Sequence, residues 1–474
     1  MEDRVSRLGR VFNPRAVAVV GDKGQTDYMW LRSQREFKGR LYSVNIDSRE
    51  FEGIAALGVK NYPSLMDVPD DEIDYVIVAV PREVSPIILR DCIKKGVGGA
   101  MFFTSGFAET GEEKGIQLQQ TLTKMAKEAD FLVIGPNCMG IHNPKLGVRS
   151  QLTQTNFDPG PLSFISQSGT HSINVAVTGY ASGVNCCKVV SIGNAIVLDA
   201  TDYLEYLMQD EETKIIGLYI ESIKDGRRFF KLLRECARVK PVLIWKGGQT
   251  PEGTRATASH TASLAEPMSI WEAMIKQAGA IKVDSLDEVI DTAKALIYCR
   301  PSTGSRMGLI STTGGQSVVI SDAFAKAGLK VPDLSDESYA KFASFFNVVG
   351  GSYRNPIDLG QNWGGERVTD IMAIFEVDPN IDAIAIELSA NFLGQRLARD
   401  PAMADRFYAQ LAIFAKEAKK PLMAITPPLH LEVVAAEMRA RVQGLGIPTY
   451  HSFERAAKAL NNVINYHRFL NEED

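Results

Sequence analysis

The chain has 474 residues, of which 45% are hydrophobic and 23% are charged, and its formal net charge is −5. This length predicts two to four domains, and the ordinary composition predicts a globular protein. The negative net charge gives no reason to expect nucleic acid or an acidic membrane surface as a partner.

The sequence also lacks the patterns of a membrane span, a signal peptide and a metal site. No apolar run is long enough to cross a bilayer, and residues 1–4 lack the apolar core of a signal peptide. The six Cys and six His residues show no metal-ligand spacing. We therefore expect a cytoplasmic protein with reduced thiols, no membrane contact and no metal site.

Short apolar runs in the first third of the chain predict buried parallel strands. The runs lie at 17–21, 41–45, 75–80, 99–103 and 131–134, and amphipathic segments at 85–95 and 115–129 predict helices between them. This alternation predicts an α/β fold that begins with a doubly wound domain over residues 1–145.

Ligands of such sheets bind at the carboxyl ends of the strands, where this sequence has a row of small and polar residues. The row consists of Gly21, Asn45, Val80, Pro81, Ser105, Gly106 and Asn137. It predicts a site for an extended, nucleotide-like ligand, although ordinary loop residues show the same pattern. The first turn, GDKGQT at 21–26, is not GxGxxG, which argues against a plain NAD site.

Two later segments share one order of features, which indicates a duplicated flavodoxin-like unit. In each, an apolar run ends in a Ser/Gly turn, a second run ends in Glu, and a Lys-Pro pair opens a third. The paired runs are 162–170 with 307–315, 215–221 with 383–387, and 240–245 with 420–425. A linker-like stretch at 301–305 separates them, so we predict domains at 146–302 and 303–474.

The first Ser/Gly turn is a candidate anion site. Backbone N–H groups at a helix N-terminus bind anions, and here Gly169 and the hydroxyls of Ser166, Ser168 and Thr170 accompany them. The same residues also suit a plain N-cap and tight turn.

Glu221 and His260 are the candidate catalytic residues. Glu221 follows a very apolar strand, where a carboxylate can hydrogen-bond one imidazole nitrogen and leave the other nucleophilic. His260 lies among small and hydroxyl residues at 256–265, which predicts a loop that swings and carries a phosphoryl group. Judged on local sequence alone, a salt-bridged or capping Glu and a packing His are the alternatives.

Further motifs run along nearly the whole chain. They are SGFAE at 105–109, GPNC at 135–138, ISQSG at 165–169, SIGN at 191–194, YIE at 219–221, KDGR at 224–227, ASHT at 258–261 and NPIDL at 355–359. With these motifs the chain resembles the α-type subunits of NDP-forming acyl-CoA synthetases, the ADP-forming acetate–CoA ligase group, which is related to the succinyl-CoA synthetase α subunit.

The resemblance implies a Rossmann-like CoA-binding domain followed by two flavodoxin-like CoA-ligase domains. It implies that His260 becomes phosphohistidine, that Glu221 supports it, and that the turn at 166–170 holds the phosphoryl group. The implied reaction interconverts a carboxylic acid, CoA and ATP with acyl-CoA, ADP and phosphate through an acyl phosphate.

The resemblance also implies an ATP-grasp module, and the three predicted domains already fill the chain. We therefore expect a separate ATP-grasp β subunit that holds ATP or ADP with Mg²⁺, in a hetero-oligomer such as α2β2. The first loop is shorter than is usual in the family, Ala262 replaces a usual Gly, and Glu266 and Pro267 replace Gly and polar residues. These departures leave open a CoA-binding or regulatory member that does not turn over.

Overall fold

The computed structural model of the chain describes residues 3–69, 72–154, 158–261, 267–363 and 365–472. Its strands form three sheets whose pairs are parallel, apart from one antiparallel edge strand in the second sheet. This confirms the predicted α/β fold. Packing divides the chain into two compact units, residues 1–289 with the first two sheets and residues 290–474 with the third.

The first sheet has the order β3-β2-β1-β4-β5-β6, which is the strand order of a dinucleotide-binding Rossmann fold. Its strands are β1 Ala16–Val20, β2 Arg40–Val44, β3 Lys60–Tyr62, β4 Tyr75–Val78, β5 Ala100–Phe102 and β6 Val133–Ile134. The helices are α1 Arg4–Phe12, α2 Met29–Ser33, α3 Phe51–Ala56, α4 Ser85–Lys95 and α5 Glu113–Glu128. Every residue of β1 and β4 is buried, because helices cover both faces of the sheet.

The second sheet has the order β12-β11-β10-β8-β9-β7. Its strands are β7 Gly140–His142, β8 Leu162–Ser166, β9 Cys186–Ser191, β10 Ile215–Ile220, β11 Val242–Lys246 and β12 Ile281–Val283. The helices are α6 Gly169–Ala181, α7 Ala200–Gln209, α8 Gly226–Ala237, α9 Pro251–Thr261 and α10 Met268–Gln277.

The second unit holds the third sheet, of order β14-β13-β15-β16-β17. Its strands are β13 Met307–Ser311, β14 Ile357–Asp358, β15 Ala383–Glu387, β16 Leu422–Ile425 and β17 Thr449–Tyr450. The helices are α11 Leu286–Tyr298, α12 Gly314–Lys326, α13 Asp336–Phe345, α14 Gly365–Val377, α15 Gln395–Arg399, α16 Pro401–Glu417, α17 Glu432–Gln443 and α18 Phe453–Glu472. The division between the two units falls at residue 289, within helix α11, whereas the linker-like sequence lies at 301–305. The domain bounds predicted from the sequence stay predictions.

The second and third sheets repeat one topology. Numbered along the chain, strands β8 to β12 and strands β13 to β17 both have the flavodoxin-like order 2-1-3-4-5. Both first strands end in the same turn, in which a Ser hydroxyl donates to the carbonyl oxygen two residues later, from Ser166 to Ser168 and from Ser311 to Thr313. The duplication inferred from the sequence is therefore present in the fold.

The connector at 136–161, between strands β6 and β8, contains an element that the sequence did not predict. Strand β7 lies there and pairs antiparallel with β9, so the connector becomes the edge of the second sheet. No helix in the described part of the chain combines the length and apolarity needed to span a bilayer.

Candidate active site

The turn between β8 and α6 uses its own hydroxyl groups. Ser166 Oγ donates to the Ser168 carbonyl oxygen at 2.6 Å, and Ser168 Oγ accepts from the N–H of His171 at 3.3 Å as the N-cap. The N-cap alternative is therefore present in the structure. The N–H groups of Gly169 and Thr170 open the helix, where no carbonyl of the helix can accept from them, and these groups are suited to bind an anion.

Residues of this turn line a cavity of about 300 Å³ within the first unit. The cavity is lined by Phe103, Asn137, Cys138, Met139, Gln151, Gln167, Ser168, Gly169, Thr170, Ile173, Gly193 and Asn194. None of these residues, which lie in the described part of the chain, has a charged side chain. An anion in this cavity would be bound by N–H groups and side-chain amides.

Two sequence motifs from different sheets form one wall of the cavity. The N–H of Asn194 donates to the Pro136 carbonyl oxygen at 2.9 Å, and that of Ile196 donates to the Gly135 carbonyl oxygen at 3.1 Å. Gly193 has φ +51°, and a Cβ there would lie 2.3 Å from the carbonyl oxygens of both Pro136 and Asn137. Only glycine allows this approach between GPNC and SIGN.

A series of side-chain hydrogen bonds connects this wall to the candidate ligand-binding residues at the carboxyl edge of the first sheet. Asn137 Nδ2 donates to Asn194 Oδ1 at 3.4 Å, and Asn194 Nδ2 donates to Glu109 Oε2 at 2.6 Å. Glu109 Oε1 accepts from the N–H of Gly106 at 2.6 Å and from that of Phe107 at 3.1 Å. The structure thus brings Gly106, with its neighbour Ser105, and Asn137 towards the turn at 166–170. Glu109 and Asn194 were quoted in motifs but were not predicted as site residues.

Glu221 lies beside the same turn because Gln167 binds its backbone. Gln167 Oε1 accepts from the N–H groups of Glu221 and Ser222, the latter at 3.0 Å, and Gln167 Nε2 donates to the Ser222 carbonyl oxygen at 3.1 Å. The amide joins the ends of β8 and β10. Gln167 was not predicted as a functional residue, since only the folded sheet brings it to Glu221.

The segment that carries His260 is helical up to Thr261, so the predicted loop is wrong for residues 256–261. The physical reason is local. Pro251 opens α9, Thr250 Oγ1 accepts from the N–H of Gly253 at 3.1 Å, and alanines continue the helix. The imidazole of His260 and residues 262–266, with Ala262 and Glu266, lie outside the described part of the chain. Helix α9 lies beside the helical turn Ala108–Thr110 of the first sheet's domain.

The remaining residues of the predicted row lie at the carboxyl edge of the first sheet. Gly21 has φ +83°, and a Cβ there would lie 2.5 Å from Val80 Cγ1. Asn45 Nδ2 donates to the Asp22 carbonyl oxygen at 2.8 Å, and the Val80 carbonyl oxygen accepts from the Thr104 hydroxyl. Pro81 follows Val80 directly. These contacts fix the loops along the edge.

The loop after β1 contains a buried carboxylate, that of Asp22. Asp22 is buried, and its carboxylate accepts from the N–H of Leu31 at 2.8 Å and from that of Lys23 at 3.1 Å. Burial raises the pKa of Asp22. Because this carboxylate occupies the start of the short helix α2, a ligand phosphate has no free helix N-terminus there, in contrast to the usual Rossmann arrangement.

One cluster in the described part of the chain has the side chains of a metal site, namely Cys187, Asp210 and Glu212. Lys188 already supplies the cation at its centre. Its Nζ lies 2.9 Å from Asp210 Oδ2, 2.7 Å from Glu212 Oε2 and 3.5 Å from Cys187 Sγ. The cluster is an ion-pair network rather than a metal-ligand set.

Comparison with known proteins agrees with this architecture. Residues 15–144 match the family model of a CoA binding domain, and residues 159–296 match that of a succinyl-CoA ligase like flavodoxin domain. The chain is 34% identical to the α subunit of ADP-forming acetate–CoA ligase II from Pyrococcus furiosus, over 95% of this chain and 96% of that protein.

The chain belongs to the ADP-forming acetate–CoA ligase family. A solved relative, the dinucleotide forming acetyl-coenzyme A synthetase 1 of Candidatus Korarchaeum cryptofilum in complex with phosphate and ADP, is 27% identical with a TM-score of 0.83, and the match covers 98% of each chain. ADP-forming acetate–CoA ligase I of Archaeoglobus fulgidus is 32% identical over 80% of this chain, but the match covers only 54% of that longer protein.

Proposed function

We propose that this chain is the α-type subunit of an acid–thiol ligase that interconverts a carboxylic acid, CoA and ATP with acyl-CoA, ADP and phosphate. The observation that carries the proposal is the cavity at the N-terminus of α6, where the motifs of the CoA-binding domain meet a helix end suited to a phosphoryl group. Family membership supports the same reaction class.

The proposed reaction has three steps, and residues of this chain act in the transfer of the phosphoryl group. An imidazole nitrogen of His260 takes the γ-phosphoryl group of ATP, and ADP leaves. A carboxylate oxygen of the acid then attacks phosphorus, the P–N bond breaks, and the imidazole is released. The CoA thiol attacks the acyl carbonyl carbon, phosphate departs, and the thiol proton ends on the released phosphate. The N–H groups of Gly169 and Thr170 stabilise the transferring phosphoryl group, and the Glu221 carboxylate fixes the imidazole tautomer.

We propose that the row at the carboxyl edge of the first sheet binds CoA and that the acyl group reaches the 300 Å³ cavity. Because the described lining has no charged side chain, the second carboxylate of a dicarboxylic acid would find no counter-ion there. We therefore favour a monocarboxylic acid as the substrate. Mg²⁺ would accompany the nucleotide and neutralise its phosphate charge.

We propose a separate ATP-grasp partner that holds the nucleotide and the Mg²⁺, in an assembly such as α2β2. Two comparisons support it. The Pyrococcus furiosus relative is named a subunit, and this chain spans about half of the Archaeoglobus fulgidus relative, which leaves room there for a further module.

Phosphorylation of the chain tests the proposal. Purified chain is incubated with radiolabelled phosphate and a panel of acyl-CoA thioesters (acetyl, phenylacetyl and succinyl), and acid-labile protein phosphate is counted. We expect labelling by monoacyl thioesters and none in His260→Ala. Label of equal amount in His260→Ala would overturn the phosphohistidine route.

A second arm of the experiment tests the partner. ATP-dependent acyl-CoA formation is measured with the chain alone and with a co-expressed ATP-grasp subunit. We expect turnover only with both proteins. Robust turnover by the lone chain would contradict the two-subunit proposal while leaving the phosphohistidine intact.

A further inference from the structure

Three side chains, one from each of three adjacent strands, meet at Glu221. Gln167, after β8, accepts from the Glu221 N–H, and Lys246, at the end of β11, donates from Nζ to the Glu221 carbonyl oxygen at 2.8 Å. Tyr219, on β10 itself, donates from its hydroxyl to Glu221 Oε1 at 3.3 Å. The first two contacts fix the backbone of Glu221, and the third bears directly on its carboxylate.

The tyrosine ring is held in place by two other rings. His171 lies at 4.5 Å and Trp245 at 4.7 Å from the Tyr219 ring, measured between centroids. Burial, together with the neighbouring Glu221 carboxylate, raises the pKa of Tyr219 well above its usual value. The phenol therefore stays protonated across the physiological range and can act only as a donor towards Glu221.

The strand ends leave no space for a larger residue beside this pair. A Cβ at Gly247 would lie 2.7 Å from the Tyr219 hydroxyl oxygen and 3.1 Å from Glu221 Cγ. The hydroxyl and the carboxylate are thus packed against the backbone that leads into α9, the helix that carries His260. Gly247→Ala would displace the pair without removing any polar group.

We propose that Tyr219 is a positioning residue for phosphoryl transfer, whose hydroxyl holds the Glu221 carboxylate in the orientation that the imidazole of His260 requires. The inference rests on the proposed function, since Glu221 orients the imidazole for catalysis only if His260 is phosphorylated. Tyr219 acts through Glu221 and does not itself contact the reacting atoms. A hydrogen bond to the ionised carboxylate also stabilises that form.

The test is Tyr219→Phe in the full-length chain, which keeps the ring packing and removes only the hydroxyl. The acyl-CoA that labels the wild-type chain fastest is used with radiolabelled phosphate, under single-turnover conditions. We expect the rate of phosphohistidine formation to fall roughly tenfold, the typical effect of losing a hydrogen bond to a charged group. The thioester concentration that gives half the maximal rate should stay unchanged.

The pH profile separates positioning from a structural role. Without the hydroxyl the ionised form of Glu221 is less stabilised, so the acid limb of the rate profile should move to higher pH. Lys246 and the half-buried His171 are titratable groups beside this pair, and both are retained in Tyr219→Phe together with His260. Phenylalanine at 219 with the wild-type rate and acid limb would overturn the proposal.

Two further variants keep the result interpretable. Tyr203→Phe is the matched control, because the Tyr203 hydroxyl is buried in the same unit and has no hydrogen-bond partner among the described residues; its rate should equal that of the wild type. Gly247→Ala should slow the same step, and a wild-type rate there would count against the proposal even if Tyr219→Phe failed to fold.

The controls also distinguish this inference from the proposed function. If His260→Ala and Glu221→Gln lose labelling and Tyr219→Phe does not, the positioning role is wrong and the reaction stands. If His260→Ala is labelled as fast as the wild type, the phosphohistidine route fails, and the role of Tyr219 fails with it.

Discussion

Replacing Gly193 by Ala should disrupt the wall of the cavity and destabilise the first unit. Gly193 adopts φ +51°, which costs an alanine about 1 kcal/mol. The new methyl carbon would also lie 2.3 Å from the carbonyl oxygens of Pro136 and Asn137. Because both neighbours are backbone atoms, relief requires the GPNC turn to move, at about 1–3 kcal/mol for overpacking. The sum is about 2–4 kcal/mol.

Urea unfolding of the full-length chain measures this loss, and labelling with radiolabelled phosphate measures its effect on the site. We expect a lower unfolding midpoint and reduced labelling, since the same displacement moves Asn194 and Asn137 at the cavity. Gly226→Ala is the matched control, because a Cβ there would meet no atom within 4 Å apart from its chain neighbours and the backbone of its own helix. Its stability should match or slightly exceed that of the wild type. Equal stability of Gly193→Ala and the wild type would refute the steric argument.

Further predictions concern the Glu221 carboxylate and the ion-pair network around Lys188. Glu221→Gln should slow phosphohistidine formation about tenfold or more while CoA affinity, measured by calorimetry, stays unchanged; an unchanged rate would return Glu221 to a structural role. Lys188→Met should cost about 3 kcal/mol in urea unfolding, because Lys188 is buried and its loss leaves Asp210 and Glu212 without their shared cation. Hydrogen bonds from Lys145 and Lys188 lower the pKa of Glu212 from 4.5 to about 2, so the stabilisation that ionised Glu212 contributes should be complete above pH 4.5 and lost as the pH falls towards 2. Unfolding midpoints that do not fall over that pH range in the wild type, or that fall equally in Lys188→Met, would contradict the last prediction.

The sequence predicted most of the interior strands of the sheets, because buried parallel strands are apolar throughout and end at turn residues. Five predicted runs of the first domain correspond to strands, although the observed strands are as short as β6, Val133–Ile134. Strand β7 was missed, since three residues of a Gly- and Pro-rich connector carry no pattern and pair only because β9 lies beside them. The loop predicted at 256–261 was wrong because the alanines at 256 and 258 favour a helix once Pro251 starts it.

The candidate site could be predicted only as separate pieces. The turn at 166–170 and Asn137 were identified from local chemistry, and the structure brings both to one cavity. The residues that connect the pieces, Gln167, Asn194 and Glu109, act through contacts between strand ends that are distant in the sequence. Periodicity describes which face of one element is buried, and it contains no information about such contacts.

The duplicated turns explain why the two equivalent glutamates are not equivalent in chemistry. In the third sheet Glu387 follows the same strand position as Glu221, but its own carboxylate accepts from the Thr312 N–H at 2.8 Å and is buried, which raises its pKa. In the second sheet the position of Thr312 is held by Gln167, whose amide binds the backbone of Glu221 instead. The turn of the third sheet therefore binds the carboxylate of Glu387 through the backbone N–H of Thr312. The turn of the second sheet binds the backbone of Glu221 through the Gln167 amide, and the Glu221 carboxylate accepts from the Tyr219 hydroxyl.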